Sequence, residues 1–425
     1  MHILRGIIGI AGLLGIAYIL SNNRKKINLT TVAWGVGLQI VLGLIVLKTP
    51  FGKALFSAAN DVVLVLLSYA DKGSGFVFGA LIDNSLVVEA ADKSVIGSAG
   101  LRTAFFAFKV LPTILFFSAL MSILYYLGLM QKIIQVFAVL MSRTMQTSGS
   151  ESLSVAANIF VGQTEAPLVV RPYVASMTKS ELNAVMAGGF ATVAGGVMAA
   201  YVGFLKDVIP GIAGHLMTAS IMSAPAALVM AKIIFPETEK SKTEGKVKLD
   251  VPVTDANIVD AAANGTLKGL ELALNVGAML IAFIALVALC DGLLGLATSF
   301  MDKPLTLNIV LGWLGAPLAW LMGVPAADVV AFGHLLGTKI MINEFVAYVD
   351  LAEAAKTFVS PRSAIIASYA LCGFANVSSI GIQIGGIGSI APNRRQDLAR
   401  IAPRALIAGA LASFMTATIA GVLIG

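Results

Sequence analysis

Residues Asn158 to Tyr173 read Asn-Ile-Phe-Val-Gly-Gln-Thr-Glu-Ala-Pro-Leu-Val-Val-Arg-Pro-Tyr, a polar, helix-breaking stretch between long apolar runs. An acidic side chain such as Glu165 at the centre of a membrane helix costs roughly 2.5–3.5 kcal/mol on insertion scales. Gly162, Pro167 and Pro172 also interrupt the helix that would satisfy the backbone. Non-helical backbone at membrane depth is tolerated only where it is buried in protein or lines a watery cavity. The stretch therefore predicts a re-entrant hairpin that carries a binding site.

The surrounding composition makes the membrane setting firm. Of 425 residues, 58% are hydrophobic and 12% charged, about half the charged share of a soluble domain. The apolar runs are long and lack the alternation of a membrane barrel. The expected fold is an all-α integral membrane protein with eight or nine transmembrane helices plus two re-entrant hairpins. Abundant glycine, 42 residues, suits close helix packing in lipid. The net charge of +6 follows from Lys and Arg in cytoplasmic loops and implies no nucleic acid. Cys290 and Cys372 lie in apolar segments and imply no disulfide framework. The three histidines lack metal-ligand spacing. With no nucleophile–base set and no phosphate loop, the chain reads as no enzyme and needs no cofactor.

The chain divides by composition. Residues 1–147 are expected to hold scaffold spans and interfacial helices. The first apolar run lacks a signal-peptide pattern, because Arg24-Lys25-Lys26 follows it. That cluster puts residues 21–29 in the cytoplasm and the N-terminus outside. Within residues 54–102, scattered charges from Asp61 to Arg102 predict interfacial pieces rather than spans. Residues 148–235 form a first repeat, a re-entrant hairpin plus two spans, and Gly188-Gly189 with Gly195-Gly196 predict an unwound middle in 180–205. Residues 236–256 are a charged cytoplasmic linker, read as a solvated loop. Residues 257–303 hold a long scaffold span and an interfacial helix, 304–392 a second repeat with its own hairpin and two spans, and 393–425 a C-terminal apolar helix. Strict alternation puts the arginines of 393–404 outside, whereas the positive-inside rule puts them in the cytoplasm.

The second hairpin is sought by internal similarity. Asn308 to Leu318 aligns without gaps on Asn158 to Leu168, sharing Asn, Ile, Gly, Ala, Pro and Leu. This predicts a broken helix at 308–318 and an inverted repeat. The polar trio is not copied, since Gln163-Thr164-Glu165 becomes Trp313-Leu314-Gly315.

Several polar groups fall in apolar surroundings: Asn158, Gln163, Thr164, Glu165, Thr192, Glu344, Asn376 and Ser379. Hydrogen bonding between helices explains a single Asn, Ser or Thr, and a buried pair with Arg171 or Lys339 explains a carboxylate. Taken together they suit a neutral ligand rich in hydroxyls or ring nitrogens. Two acids with no matching cations disfavour an anionic one. The side-chain oxygens of Asn158 and Thr192, with backbone freed at Val161 and Val193, suit Na⁺, a hard cation.

Gly162-Gln163-Thr164-Glu165-Ala166-Pro167, Asn343-Glu344-Phe345 and Gly373-Phe374-Ala375-Asn376-Val377-Ser378-Ser379-Ile380-Gly381 resemble the motifs of the concentrative nucleoside transporters, in order and over nearly the whole chain. The resemblance, to a bacterial member of the family, implies a homotrimer in the inner membrane. Each protomer would have scaffold and mobile transport parts that import nucleosides by cation symport. It implies that Gln163, Thr164 and Glu165 contact the nucleobase, with Val197 beside it and Phe374 as a wall. Glu344, Asn376 and Ser379 would hold the ribose. Asn158, Thr192 and the carbonyls of Val161 and Val193 would bind Na⁺. Thr192 stands where the family often has Ser, and its hydroxyl is kept. Proton coupling, another neutral polar solute and a cation channel are the alternatives.

Overall fold

The protein is described by a computed structural model covering residues 2–82, 86–89, 95–99, 106–245, 255–301 and 304–424. It is nearly all helical. Helices α1 (His2–Ile19) and α2 (Leu29–Lys48) open the chain, and Asn28 caps α2 by accepting from Thr30 N at 2.9 Å. Then comes α3 (Pro50–Phe78), a single unbroken helix long and apolar enough to cross a membrane. The interfacial pieces expected over 54–102 are thus partly one long helix, because Asp61, Asp71 and Lys72 sit on a helix whose remaining residues are largely apolar. A short antiparallel ladder, β1 (Leu86–Glu89) with β2 (Val95–Ala99), follows. The rest of 83–105 lies outside the described residues.

From here the chain runs the same sequence of shapes twice. The first pass begins after α4 (Leu111–Tyr126). It has a continuous helix α5 (Leu129–Met145), then a hairpin made of α6 (Gly149–Ala157), a 3₁₀ turn (Ala166–Val170) and α7 (Arg171–Val174). A helix broken once follows, α8 (Lys179–Ala191) and α9 (Gly195–Leu205), and then α10 (Ile212–Ile234), with Pro225 inside it. After the 40-residue α11 (Ile258–Ala297) the pattern returns. The continuous helix is α12 (Leu307–Leu321), and the hairpin is α13 (Val329–Met341) with α14 (Glu344–Ala354). The broken helix is α15 (Pro361–Leu371) with α16 (Val377–Ile390), and α17 (Arg395–Ile424) closes the chain. Among the described residues, seven helical stretches are long and apolar enough to span, with the broken pair α8–α9 taken as one, and four shorter apolar helices accompany them.

This order corrects the placement of the second hairpin. Asn308 to Leu318 does not break; α12 runs through it, with Thr306 capping its start and Pro317 inside. An interior proline removes one amide and strains one turn, and an otherwise apolar run stays helical around it. The hairpin instead turns at Ile342-Asn343, further along the second repeat. Asn343 ends the apolar helix there by capping the next one, accepting from Val346 N at 2.9 Å. The expected break in 180–205 is present at Thr192 to Ala194.

The core is built by α8, α10, α15 and α17, which pack on one another and bury nearly all of α10. Helix α11 packs along α4 and turns apolar side chains such as Leu267, Leu274 and Ile281 outward. The charged linker is not wholly a solvated loop. Thr243 and Ser241 sit against the starts of α6 and α8, with Ser150 N donating to Thr243 Oγ1 at 3.3 Å and Ser241 Oγ to Glu181 Oε1 at 2.6 Å. Lys232 pairs there with Glu151 at 2.8 Å and Glu237 at 3.3 Å. Residues 246–254 lie outside the described residues.

The two breaks meet at the centre. Phe374 N donates to Thr192 O at 3.3 Å. From α17, Ser413 Oγ lies 3.1 Å from Cys372 O and 3.4 Å from Ala191 O, within reach of both helix ends. This contact requires Gly373. Its φ is +154°, and a Cβ there would fall 2.6 Å from Phe190 O. Gly373→Ala is therefore expected to destabilise the protein by about 1–3 kcal/mol, read as a lower midpoint of thermal unfolding in detergent. An unchanged midpoint would mean that the crossing is looser than described.

Candidate functional site

Each break and each hairpin tip is a helix end, and helix ends place the polar side chains. Asn376 caps α16, its Oδ1 accepting from Ser379 N at 2.8 Å. The cap fixes the side chain so that Nδ2 donates to Glu344 Oε2 at 2.7 Å. Glu344 is the first residue of α14, where the positive end of the helix dipole favours a carboxylate. Its other oxygen accepts from Tyr201 OH, on α9, at 3.0 Å. Among the described residues, Glu344 has no ion pair with Lys339 or Arg171. Tyr201 is held by stacking on Tyr348, centroids 4.1 Å apart, and by an edge contact with Phe345 at 4.8 Å.

The first hairpin joins this group through Gln163. Its Nε2 donates to Ser379 Oγ at 3.1 Å, and its Oε1 accepts from Gln383 Nε2 at 3.0 Å. A chain of polar groups thus runs from Gln383 through Gln163, Ser379, Asn376 and Glu344 to Tyr201, linking both hairpins and both broken helices. Thr164 packs beside Gly386 of α16. Val197 is buried on α9, one turn before Tyr201, and Phe374 is half-buried at the second break.

Glu165 is placed apart from Glu344. It is exposed, accepts from Gly162 N at 3.1 Å, and lines a cavity of about 400 Å³ between the first hairpin, α4 and α11. Ser118, Ser122, Tyr125 and Lys268 line the other walls. That volume lies in the range of small-molecule sites.

Asn158 and Thr192 end α6 and α8, which approach closely because residue 188 is glycine; a Cβ there would lie 2.8 Å from Val155. Thr192 Oγ1 donates to Gly188 O at 3.1 Å and Asn158 Nδ2 to Ser154 O at 3.1 Å. Asn158 Oδ1 and Ser154 Oγ are buried without a hydrogen-bond partner. An orphaned buried oxygen costs about 1–3 kcal/mol, and a cation would relieve it. Among the described residues no cluster of three His, Cys, Asp or Glu could hold a metal.

Sequence reasoning missed Tyr201, Gln383 and Ser413. Tyr201 and Gln383 follow Val197 and Ser379 by four residues, so helical spacing from the recognised positions finds both. Ser413 lies in the long apolar run of α17 and carries no local signal.

Paired hairpins, two crossing broken helices and a buried polar chain at their junction define a secondary transporter. Three sequence profiles agree: Na⁺-dependent nucleoside transporter N-terminus over residues 8–81, nucleoside recognition over 107–208, and Na⁺-dependent nucleoside transporter C-terminus over 215–421. The chain belongs to the Na⁺-dependent, or concentrative, nucleoside transporter family. It is 45% identical to an uncharacterized transporter of Haemophilus influenzae, covering 100% of this chain and 99% of that one. It is 42% identical to sodium/nucleoside cotransporter 1 of the mouse, over 98% of this chain and 63% of that protein. Among solved structures it is similar to CNTnw in an inward-facing substrate-bound state, with a TM-score of 0.89 and 42% identity over 100% of this chain and 98% of that one. It is also similar to an outward-facing CNTnw variant, with a TM-score of 0.91 at the same identity and coverage. The chain is a multi-pass membrane transporter, not an enzyme.

Tyr201→Phe removes one of the two side-chain donors to a buried carboxylate while keeping the aromatic stack. It is expected to weaken nucleoside binding by about 1–3 kcal/mol, measured by calorimetry with uridine in detergent. An unchanged affinity would detach Tyr201 from the site.

Proposed function

We propose that this protein imports nucleosides by Na⁺ symport, moving its two-hairpin unit against a scaffold in an elevator-like alternating-access cycle. The observation that carries the reading is the polar chain from Gln163 to Glu344, which joins both hairpin tips at one buried point. In this reading a bound nucleoside takes over hydrogen bonds that the side chains now make to one another. Gln163, Thr164 and Glu165 read the base, with Val197 and Phe374 packing on it. Glu344, Asn376 and Ser379 hold the ribose. A neutral, donor-rich solute suits a site built of acids, amides and hydroxyls.

Na⁺ is the co-transported ion in this reading. Asn158 Oδ1 supplies a partnerless oxygen and Thr192 a hydroxyl, beside backbone freed at Val161 and Val193. The sodium/nucleoside cotransporters among the relatives support the choice, and the inward- and outward-facing structures of CNTnw support alternating access. The scaffold comprises 1–147 and 257–303, and the moving unit the two repeats, 148–235 and 304–392, with the closing helix 393–425. The outward apolar face of α11 suits lipid or a neighbouring subunit, in keeping with a homotrimer in a bacterial inner membrane.

The test is radiolabelled uridine uptake into proteoliposomes driven by a Na⁺, choline or proton gradient. Accumulation is expected with Na⁺ alone, and Glu344→Gln should lower it about tenfold or more. Accumulation driven equally by a proton gradient in choline would overturn the ion, and normal transport by Glu344→Gln would overturn the ribose role.

A further inference from the structure

Lys339 stands in the last turn of α13 and is fully buried. No carboxylate pairs with it among the described residues. Its Nζ donates to Ala370 O at 2.7 Å and lies 5.6 Å from the centroid of the Phe414 ring. Burying an ammonium with no carboxylate in contact costs several kcal/mol, which its contacts and the more distant charge of Glu344 must return.

What Lys339 touches is the end of α15 at the second break. The last carbonyls of a helix lack intrahelical donors and carry the negative end of its dipole. In α15 they are supplied from outside the ladder. Ser368 O accepts from Tyr348 OH at 2.8 Å, Tyr369 O from Cys372 N at 3.2 Å, and Ala370 O from Lys339.

The end of α8, at the matching place in the first repeat, faces the same electrostatic demand and meets it differently. Its donors are neutral: Thr192 Oγ1 donates to Gly188 O, and Ser413 Oγ, whose one hydrogen lies nearer Cys372 O and Gly409 O, comes within 3.4 Å of Ala191 O. Two buried oxygens beside it, Asn158 Oδ1 and Ser154 Oγ, have no donor at all. At the second break, the side chains from Lys339 to Asn376 include no such orphan among the described residues.

We propose that Lys339 is a tethered cation that does permanently, at the second break, what Na⁺ does reversibly at the first. It is a positioning residue. Its charge holds the end of α15, and so keeps Gly373 to Asn376 and the Glu344 contact in place whether or not the ion is bound. Only the first break then exchanges an ion, so each transport cycle carries a single Na⁺. The inference rests on the assignment of Na⁺ to Asn158 and Thr192.

The test titrates uridine binding with Na⁺ on the full-length protein in detergent, for the native chain, Lys339→Met and Lys339→Ala. The native chain is expected to show a Na⁺ Hill coefficient near one. Lys339→Met keeps the volume without the charge and should bind uridine about tenfold or more weakly. Lys339→Ala should lose binding likewise and regain it with added ethylammonium, a recovery that Lys339→Met cannot show because its side chain fills the space. A native Hill coefficient near two, or native affinity in Lys339→Met, would overturn the proposal. Should Lys339→Ala fail to fold, the native chain and Lys339→Met still decide. Uridine binding indifferent to Na⁺ in the native chain would instead overturn the ion assignment at Asn158, and Lys339→Met would still judge the charge.

Discussion

Two helices stop in the middle of the protein, and the amides and carbonyls they release must be satisfied without bulk water. That constraint shapes the centre of the fold. Phe374 N reaches across to Thr192 O, and Ser413 places its hydroxyl between the two helix ends. Asn376 closes the start of α16 and Asn343 the start of α14. Asn376 spends its oxygen on the backbone and its amide on Glu344. Structural need and ligand chemistry are therefore met by the same side chains.

The repeats divide the labour unequally. Both break a helix, and both set a hairpin against the break. At its break the first leaves Asn158 Oδ1 and Ser154 Oγ without donors, whereas the second, whose bare oxygen Gln383 Oε1 lies further along α16, supplies an ammonium of its own at the break. A pair of equal halves would present two similar cation positions. The asymmetry fits a machine in which one half senses the ion, while the other keeps the carboxylate and its cap fixed. The polar chain through Gln163 and Ser379 is then the link between them, since it passes directly from the first hairpin to α16.

Much of this was legible in residues and some was not. The cost of Glu165 in an apolar setting marked the first hairpin, and the Gly-Gly pairs marked the break at Thr192. The second hairpin was misplaced because Asn308 to Leu318 shares the Asn, the Gly and the Pro of the first in register, yet these do not open a helix in an apolar run without a cap at the break. What opens α13 from α14 is Asn343, a cap, followed by a carboxylate at the helix start. Similarity scored on apolar residues passes over that signal. Glu165 and Glu344 look alike in sequence, but one faces a cavity and the other is buried against a tyrosine hydroxyl and an amide. Only the fold separates them. Ser413 was invisible because, beyond Gly409 O of its own helix, the carbonyls it reaches are ends of distant helices, which no local pattern encodes.

The central claim is that one hairpin binds the ion at its root and reads the nucleoside at its tip, so the two binding events share a free energy. Linkage makes such coupling reciprocal: the factor by which Na⁺ strengthens nucleoside binding must equal the factor by which nucleoside strengthens Na⁺ binding. The direct measurement is Na⁺ affinity of the purified protein with and without saturating uridine, set beside uridine affinity with and without saturating Na⁺. The account predicts two equal factors, both well above one. A Na⁺ affinity that uridine leaves unchanged would contradict it.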